Sequence, residues 1–229
     1  MNKELSFIKH MFDHIAPNYD YLNRLLSLGR DTYWRKQMVK AAGLDKQDRV
    51  LDIACGTCDV ALEASAKFKG QLNITGLDFS LNMLTLAKKK ISSNISPVNA
   101  DALYLPFGQK CFDVVFIAFG IRNIMNRYKA ICEFSYVLKK GGRLVVLELS
   151  TPEKGFFRLV YLFYFKRLLP LIGSFFSGHS YAYQYLPKSV LNFPEPAEFA
   201  VIMENAGFTN VRFKRMSLGI VTLFVGTRK

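Results

Sequence analysis

Cysteine and histidine are scarce in this chain. Four cysteines, Cys55, Cys58, Cys111 and Cys132, are too few and too irregularly spaced for a disulfide framework. Cys55 and Cys58 form a C-x-x-C pair, but a structural zinc site needs a second pair of ligands, and the three histidines are scattered. The first residues lack the apolar core of a secretory signal. We therefore expect no metal ion and a reducing, cytoplasmic location.

The chain also lacks an uninterrupted apolar run long enough to cross a bilayer. Its most apolar stretch, residues 156–176, is interrupted by three cations and by Pro170, whereas a transmembrane helix needs about 20 predominantly apolar residues. We predict instead a hydrophobic helical insertion over residues 152–194. Three roles are open for it: a lid on a hydrophobic substrate, an amphipathic helix that closes the core, or a helix that lies against a bilayer with its cations at the headgroups.

Acidic residues are outnumbered by basic ones. The 31 Lys and Arg against 18 Asp and Glu give a net charge of +13, so the sequence favours an anionic partner, either a nucleic acid or an acidic membrane surface. Half of the residues are hydrophobic, which excludes a disordered chain. A length of 229 residues suits a single α/β domain, 1–229, with a full core.

Glycine is scarce in the turn that follows the predicted nucleotide-binding strand. Residues 50–59, V-L-D-I-A-C-G-T-C-D, are an apolar strand followed by a turn that contains only Gly56. A dinucleotide site needs several glycines so that backbone amides can approach a pyrophosphate. Here Asp52 on the strand and Asp59 at the start of the next helix would repel a pyrophosphate and attract a cation. This pattern excludes the dinucleotide fingerprint.

The next predicted strand, residues 72–78, ends on Asp78. An acidic residue about 20 positions after the glycine turn accepts the ribose hydroxyls in nucleotide-binding βαβ units. A ligand for this site needs ribose hydroxyls for Asp78 and a positive charge near Asp52 and Asp59. An adenosine with a positively charged tail has both. The residues therefore indicate S-adenosylmethionine as the cofactor, with Asp52, Gly56 and Asp78 in its site.

Hydrophobic periodicity places these motifs in an alternating pattern. Residues 1–45 are predicted to form a helical cap, and the alternation of strands and helices that follows predicts an α/β fold with a parallel sheet. The predicted strands are 49–54, 72–78, 97–99, 112–119, 143–149, 211–215 and 220–227. The predicted helices are 59–68, 80–90 with Ser80 as N-cap, 127–138 ended by K-K-G-G, and 196–206.

Several longer motifs resemble a known family, the S-adenosylmethionine-dependent C-methyltransferases of menaquinone and ubiquinone biosynthesis. The match covers almost the whole chain. The motifs are F-D-H-I-A-P-N-Y-D at 12–20, the nucleotide turn at 50–57, A-D-A at 100–102, F-G-I-R-N at 119–123, G-G-R-L at 141–144 and the tyrosine-rich segment at 180–186. The first and fourth of these narrow the resemblance from methyltransferases in general to those acting on quinone precursors.

The resemblance implies a Rossmann-like, doubly wound sheet of seven strands, mostly parallel with an antiparallel last strand. It also implies cofactor contacts at Thr57, Asp78, Asp101 and Ala102. Two positions depart from the family pattern. Cys58 stands where the family usually has glycine, and Ala118 stands where it has a small polar residue. Because no carboxylate is lost, we expect altered cofactor affinity and not an inactive enzyme.

Methylation of a ring carbon needs an electron-rich ring, so a quinol with one ionised hydroxyl is the expected nucleophile. Arg122 is assigned to the phenolate or to a water that removes the proton, and Asn123 to a ring oxygen; the alternative for Arg122 is a surface ion pair. Asp13, Tyr19 and Asp20 are expected to close over the site from the N-terminal element, with Asp20 or His14 as an alternative base.

The sequence leaves several alternatives open. An RNA methyltransferase would suit the basic charge, but the chain lacks a base-flipping tetrapeptide after its fourth strand, so no nucleic acid is expected. A non-catalytic membrane-binding module would be expected to lose the cofactor carboxylates. The expected substrate is a prenylated quinol, either demethylmenaquinol or a ubiquinol precursor, reached by peripheral contact with the anionic inner face of the membrane. The oligomeric state is open between a monomer and a homodimer.

Overall fold

A computed structural model describes residues 3–153, 155–163 and 180–229. Its strands form one mixed sheet of seven members. They are β1 Arg49–Ile53, β2 Asn73–Asp78, β3 Ile95–Asn99, β4 Phe112–Ala118, β5 Leu138–Leu149, β6 Phe208–Met216 and β7 Val221–Arg228. The helices of the described residues are α1 Lys3–Ile15, α2 Tyr19–Leu26, α3 Arg30–Ala41, α4 Asp59–Lys67, α5 Leu81–Ala87, α6 Arg127–Val137, α7 Phe156–Phe163, α8 Ser180–Leu191 and α9 Pro196–Asn205.

The strands follow the order β3-β2-β1-β4-β5-β7-β6. The first five strands pair in parallel, and β7 runs antiparallel to both of its neighbours. Helices α4, α5 and α6 form the crossovers from β1 to β2, from β2 to β3 and from β4 to β5, whereas residues 100–111 connect β3 to β4 without a helix. The predicted doubly wound α/β sheet, mostly parallel with an antiparallel last strand, is confirmed.

Alternate residues of the central strands enter two separate hydrophobic cores, one on each face of the sheet. In β4, for example, Val114 and Phe116 belong to the core on one face, whereas Val115 and Ile117 belong to the other. All four side chains are fully buried. The two cores fix the position of the strand ends, where polar side chains collect.

The turn after α6 differs from its prediction. The segment 139–142 was expected to end the helix, but α6 ends at Val137 and β5 begins at Leu138. The register between β4 and β5 shifts at this point, so the four residues form an irregularity within the strand pairing. Lys139 pairs with Asp113 at 2.7 Å, and a Cβ on Gly142 would lie 2.8 Å from the Lys139 carbonyl oxygen. The lysines and glycines of segment 139–142 therefore form a tight bulge in β5 and do not end a helix.

Two strand starts were also placed too late. β3 begins at Ile95 and not at residue 97, and β6 begins at Phe208 and not at 211. Pairing with β2 and β7 extends both strands beyond their apolar segments. By contrast, Ser80 caps α5 as predicted, since its hydroxyl accepts a hydrogen bond from the Met83 amide at 3.2 Å.

The predicted insertion falls only partly within the described residues, because residues 164–179 lie outside them. Of the remainder, α7 and α8 pack together through Tyr161 and Val190, with Leu26 of α2 against the same cluster. These contacts join the insertion to the N-terminal helices. Within the ranges described above, no helix is both long enough and apolar enough to cross a membrane.

Candidate active site

The site lies where the strand order reverses, between β1 and β4, because crevices at such a switch point are where α/β sheets bind ligands. The loop after β1, residues 54–58, and the loop after β4, residues 119–123, meet there. A Cβ on Gly120 would lie 2.8 Å from the Ala54 Cβ, a distance that real Cβ atoms do not tolerate. The glycine of the F-G-I-R-N motif is therefore what allows the two loops to touch.

The loop after β1 turns tightly. Ala54, Gly56 and Cys58 all have left-handed backbone conformations, with φ of 51°, 54° and 66°. For a non-glycine residue this region costs roughly 1–2 kcal/mol, so Cys58 occupies a backbone conformation that glycine would adopt more easily. Cys58 is fully buried, with its Sγ 3.5 Å from that of Cys55. No group of three metal-ligating side chains occurs in the described part of the chain.

Two buried carboxylates lie beneath this loop. Asp52 is 1% exposed, and its Oδ2 accepts a hydrogen bond from the Ala61 amide at 3.2 Å, which ties β1 to α4. Burial raises the pKa of Asp52 to about 8. Burial likewise raises the pKa of Asp78 to about 6. Both carboxylates therefore gain from any cation or hydrogen-bond donor that enters the crevice.

Asp78 and Gly56, both expected in the cofactor site, are in direct contact. The Gly56 amide donates to Asp78 Oδ2 at 2.8 Å, and the Ser80 amide donates to Oδ1 at 2.9 Å. Each oxygen of a carboxylate accepts two hydrogen bonds. The Phe79 amide also acts on this carboxylate as a hydrogen-bond donor. The acceptor capacity that remains within the described residues would suit a ribose hydroxyl.

Asp101 and Ala102 follow β3 beside Asp78. The Ala100 amide and the Asn99 side chain both donate to the Asp78 carbonyl, at 3.1 and 2.9 Å, so this segment is fixed against the end of β2. Asp101 Oδ1 accepts a hydrogen bond from the Leu103 amide at 2.9 Å, as in an Asx turn. Ala102 is half-buried against the core. Within the described part of the chain, this turn engages only Oδ1 of Asp101.

The N-terminal helices cover the loop after β1. The Thr57 hydroxyl donates to Asp20 at 2.6 Å, and the Lys90 ammonium bridges Asp20 and Asp59 at 2.8 and 2.6 Å. Partial burial alone would raise the pKa of Asp20, but the hydrogen bonds from Lys90 and Thr57 and the charge of Lys90 lower it. A carboxylate so engaged is held ionised as an acceptor. The geometry therefore favours Asp20 as a residue that fastens the cap.

Tyr19 faces the same loop. Its Cε1 lies 3.7 Å from where a Cβ on Gly56 would stand. Burial raises the pKa of the Tyr19 hydroxyl, although a hydrogen bond with Asn23 and the charge of Arg122 act against this shift. The phenol is therefore neutral near pH 7 and able to donate a hydrogen bond.

The other two polar candidates on α1 differ in placement. Asp13 accepts a hydrogen bond from the Ser80 hydroxyl at 2.5 Å, which joins α1 to the end of β2. His14 is exposed, and its Nδ1 lies 2.8 Å from the His10 carbonyl oxygen one turn earlier.

The loop after β4 carries Arg122 and Asn123. The Arg122 Nη1 donates to Glu148 Oε1 at 2.7 Å and also to the Phe119 carbonyl. Asn123 Oδ1 accepts a hydrogen bond from the Tyr185 hydroxyl of α8 at 3.1 Å. The pair is thus brought to the sheet edge next to the cap, and Arg122 is only 9% exposed in its side chain. The ion pair between Arg122 and Glu148 is therefore buried, so the alternative of a surface ion pair for Arg122 is wrong.

Sequence reasoning missed three residues of this site: Glu148, Lys90 and Arg35. Glu148 is fully buried in β5, and a carboxylate inside the run L-V-V-L-E-L was a signal that could have identified it. Arg35 of α3 is 8% exposed and pairs with Asp31 at 2.5 Å and Asp59 at 3.5 Å. Lys90 has no comparable signal, because it stands in a run of three lysines.

Comparison with known proteins gives a consistent result. The model of the ubiE/COQ5 methyltransferase family matches residues 1–228. A ubiquinone/menaquinone biosynthesis C-methyltransferase UbiE of Geotalea uraniireducens is 45% identical over 226 residues, covering 96% of each chain. A demethylmenaquinone methyltransferase of Thermus thermophilus is 45% identical over 221 residues, covering 95% of this chain and all of the relative.

Solved structures share the fold at low sequence identity. A SAM-dependent methyltransferase of Thermotoga maritima, described as a possible histamine N-methyltransferase, has a TM-score of 0.68 at 20% identity and covers 96% of this chain and 99% of its own. The predicted class I methyltransferase fold is therefore confirmed. With the family model matching nearly every residue, the resemblance drawn from the motifs is confirmed as well: the chain belongs to the ubiE/COQ5 methyltransferase family.

Proposed function

We propose that this protein transfers a methyl group from S-adenosylmethionine to a ring carbon of a prenylated quinol, with demethylmenaquinol as the principal substrate. Family membership makes it a methyltransferase of quinone biosynthesis that uses S-adenosylmethionine. The observation that carries the finer proposal is the buried Arg122 beside the crevice. A buried guanidinium at this edge is suited to an oxygen that carries negative charge in the reaction.

The residues of the crevice fit the cofactor. Two desolvated carboxylates, Asp52 and Asp78, favour a sulfonium cation nearby. Asp78 would hold the ribose hydroxyls, with Gly56 and Thr57 along the loop and Asp101 and Ala102 beside the adenine. When bound, S-adenosylmethionine supplies an electrophilic methyl group.

The chain's own residues then prepare the nucleophile. A ring carbon attacks a methyl group only when the ring is electron-rich, so one hydroxyl of the quinol must give its proton to a water molecule oriented by Arg122. After the transfer, the methylated carbon loses its own hydrogen to water as a proton, which restores the aromatic ring. Arg122 stabilises the resulting phenolate, and the Asn123 side chain orients a ring oxygen. The Nε of Arg122 is buried and has no hydrogen-bond partner within the described residues, so it is the donor proposed for the phenolate.

The cap excludes water from this centre. Asp20, bound to Thr57 and Lys90, fastens α2 over the cofactor loop. Tyr19 lies against the loop at Gly56. Its neutral hydroxyl can donate a hydrogen bond to the substrate or to the cofactor. Exclusion of water strengthens the electrostatic interactions of the site and protects the phenolate from reprotonation.

Helix α7 supports peripheral contact with the membrane that holds the prenylated substrate. Phe156, Leu159, Val160 and Phe163 lie at i, i+3, i+4 and i+7, and they are 81%, 66%, 45% and 62% exposed. Tyr161, on the opposite face, is buried in the cluster with α8 and α2. An apolar stripe that faces away from its own protein is suited to lipid, and the net charge of +13 favours anionic headgroups.

Methyl transfer tests the proposal directly. Purified protein is incubated with labelled S-adenosylmethionine and, in parallel, chemically reduced demethylmenaquinone, a reduced demethylated ubiquinone precursor, and bulk RNA. We expect label on the naphthoquinol in the wild type and its loss in Asp78→Ala. Label on the ubiquinone precursor alone would reassign the substrate, and label on RNA alone would contradict the quinol proposal.

A further inference from the structure

Glu148 is a buried carboxylate to which the mechanism above gives no role. It lies in β5 among fully buried neighbours and is itself 0% exposed. Its oxygens accept three hydrogen bonds: from the Arg122 amide at 3.1 Å, from the Arg122 Nη1 at 2.7 Å and from the Leu149 amide at 2.8 Å. One carboxylate thus holds both the backbone and the side chain of Arg122.

Stability alone does not account for this residue. Burying an ion pair costs about as much in desolvation as it returns, and apolar replacements of similar volume are often as stable. The strand around Glu148 consists of such apolar residues, since Val145, Val146 and Leu147 are all fully buried. A function that needs Arg122 in one fixed position explains the carboxylate better than the packing of the core does.

The geometry leaves one edge of the guanidinium for a ligand. Within the described residues, the hydrogen bonds from the Arg122 side chain all leave from Nη1, to Glu148 and to the Phe119 carbonyl. The Nε is buried without a partner in the same part of the chain. Glu148 therefore grips one nitrogen and leaves the others of a planar, five-donor group directed elsewhere.

A second cation stands beside the pair. The Arg127 Nη2 donates to the Arg122 carbonyl at 3.1 Å. Burial lowers the pKa of Arg127, and the negative charge of Glu148 opposes part of that shift. Two guanidinium groups and one carboxylate leave one positive charge at this edge. That surplus matches a substrate with a single ionised oxygen.

We infer that Glu148 is a positioning residue of the methyl transfer: by holding Arg122 through Nη1, it presents the remaining guanidinium edge to the ionised hydroxyl of the ring. This inference rests on the proposed function, because it needs a phenolate in the crevice. Glu148 itself touches neither substrate nor cofactor and acts through Arg122.

The test compares two replacements of Glu148 with a matched control. Glu148→Gln keeps the shape but removes the charge, whereas Glu148→Asp keeps the charge but withdraws it by one methylene group. Thr222→Val is the control, because Thr222 pairs with Glu148 across β5 and β7, is equally buried, and binds Ser150 by a 2.8 Å hydrogen bond. For all three variants, kcat, the KM for S-adenosylmethionine and the melting temperature are measured.

We expect both Glu148 variants to lose about tenfold or more in kcat while the KM for S-adenosylmethionine stays within about twofold. Thr222→Val is expected to lower the melting temperature while leaving kcat unchanged. Combining Glu148→Gln with Arg122→Ala separates positioning from a structural role. In that background the glutamine should cause no further loss of kcat, and it should raise the melting temperature, because it removes an unpaired buried charge.

Losses of kcat that are additive in the double variant, or a Glu148→Asp enzyme with wild-type kcat, would overturn the inference while leaving the proposed function standing. A wild-type enzyme that methylates no quinol would overturn the proposed function, and this inference with it.

Discussion

The hydroxyl of Thr57, in the loop after β1, donates a 2.6 Å hydrogen bond to the carboxylate of Asp20 in α2. This contact joins the N-terminal cap to the loop that ends the first strand. Lys90 completes the junction by pairing with Asp20 and with Asp59 of α4. A short polar network therefore adds to the apolar contacts that hold the N-terminal helices on this loop.

Replacing Lys90 with methionine tests this junction. Because the ion pairs are partly exposed, we expect the free energy of unfolding to fall by no more than about 1 kcal/mol. If the closed position of the cap is destabilised by the same free energy, S-adenosylmethionine should bind about fivefold more weakly. Calorimetric titration measures that affinity, and Lys89→Met, on the neighbouring exposed lysine, is the control. Equal affinities in the two variants would contradict a role for Lys90 in closing the cap.

Much of this site was predictable, because its carboxylates stand at the ends of apolar strands. Asp52 and Asp78 were proposed for the site from that pattern alone, and in the structure the Gly56 amide donates to Asp78. Lys90 and Glu148 were not found, since pairs such as Lys90 with Asp20 and Glu148 with Arg122 connect residues far apart in the sequence. Hydrophobic periodicity places elements in a fold, but it carries no information on which charged side chains meet across them.

Cofactor binding should strengthen as the pH rises from about 5 to 8.5. The pKa of Asp78 is raised to about 6 and that of Asp52 to about 8, both through burial. For such acids the folded protein binds protons more tightly than the unfolded chain does. Their contribution to stability is therefore largest below the unfolded pKa, near 4, and falls as the pH rises through the folded values.

A bound sulfonium cation stabilises the ionised forms of Asp52 and Asp78. It therefore offsets the stability that the free protein loses as the pH rises. The increase in melting temperature caused by S-adenosylmethionine should therefore grow across the same pH window. Asp52→Asn removes the group with the higher pKa, so we expect the part of this growth above about pH 7 to disappear. A thermal shift that is independent of pH in the wild type would show that neither carboxylate changes ionisation when the cofactor binds.

Gly120→Ala should separate the two loops of the crevice. Its Cβ would lie 2.8 Å from that of Ala54, so one loop must move, at a cost of about 1–3 kcal/mol of unfolding free energy. We expect weaker cofactor binding as well, because the loop after β1 carries Gly56 and Thr57. Gly108→Ala is the matched control, since its Cβ would make only an ordinary 3.6 Å contact with Cys111 Sγ. Denaturant unfolding and calorimetric titration give the two quantities, and equal behaviour of both variants would refute the close contact.

The exposed stripe of α7 makes the most direct prediction about the membrane. Leu159→Glu places a charge in the middle of four exposed apolar side chains, where it would meet both the hydrocarbon boundary and the anionic headgroups. We expect sedimentation with vesicles of anionic phospholipid to fall by about tenfold, while methylation of a short-chain quinol dispersed in detergent is unchanged. Val201→Glu, on α9, is the control, because Val201 is 51% exposed and lies outside the stripe. If both variants lose vesicle binding equally, net charge and not the stripe attaches the protein to the membrane; if neither does, α7 faces something other than lipid.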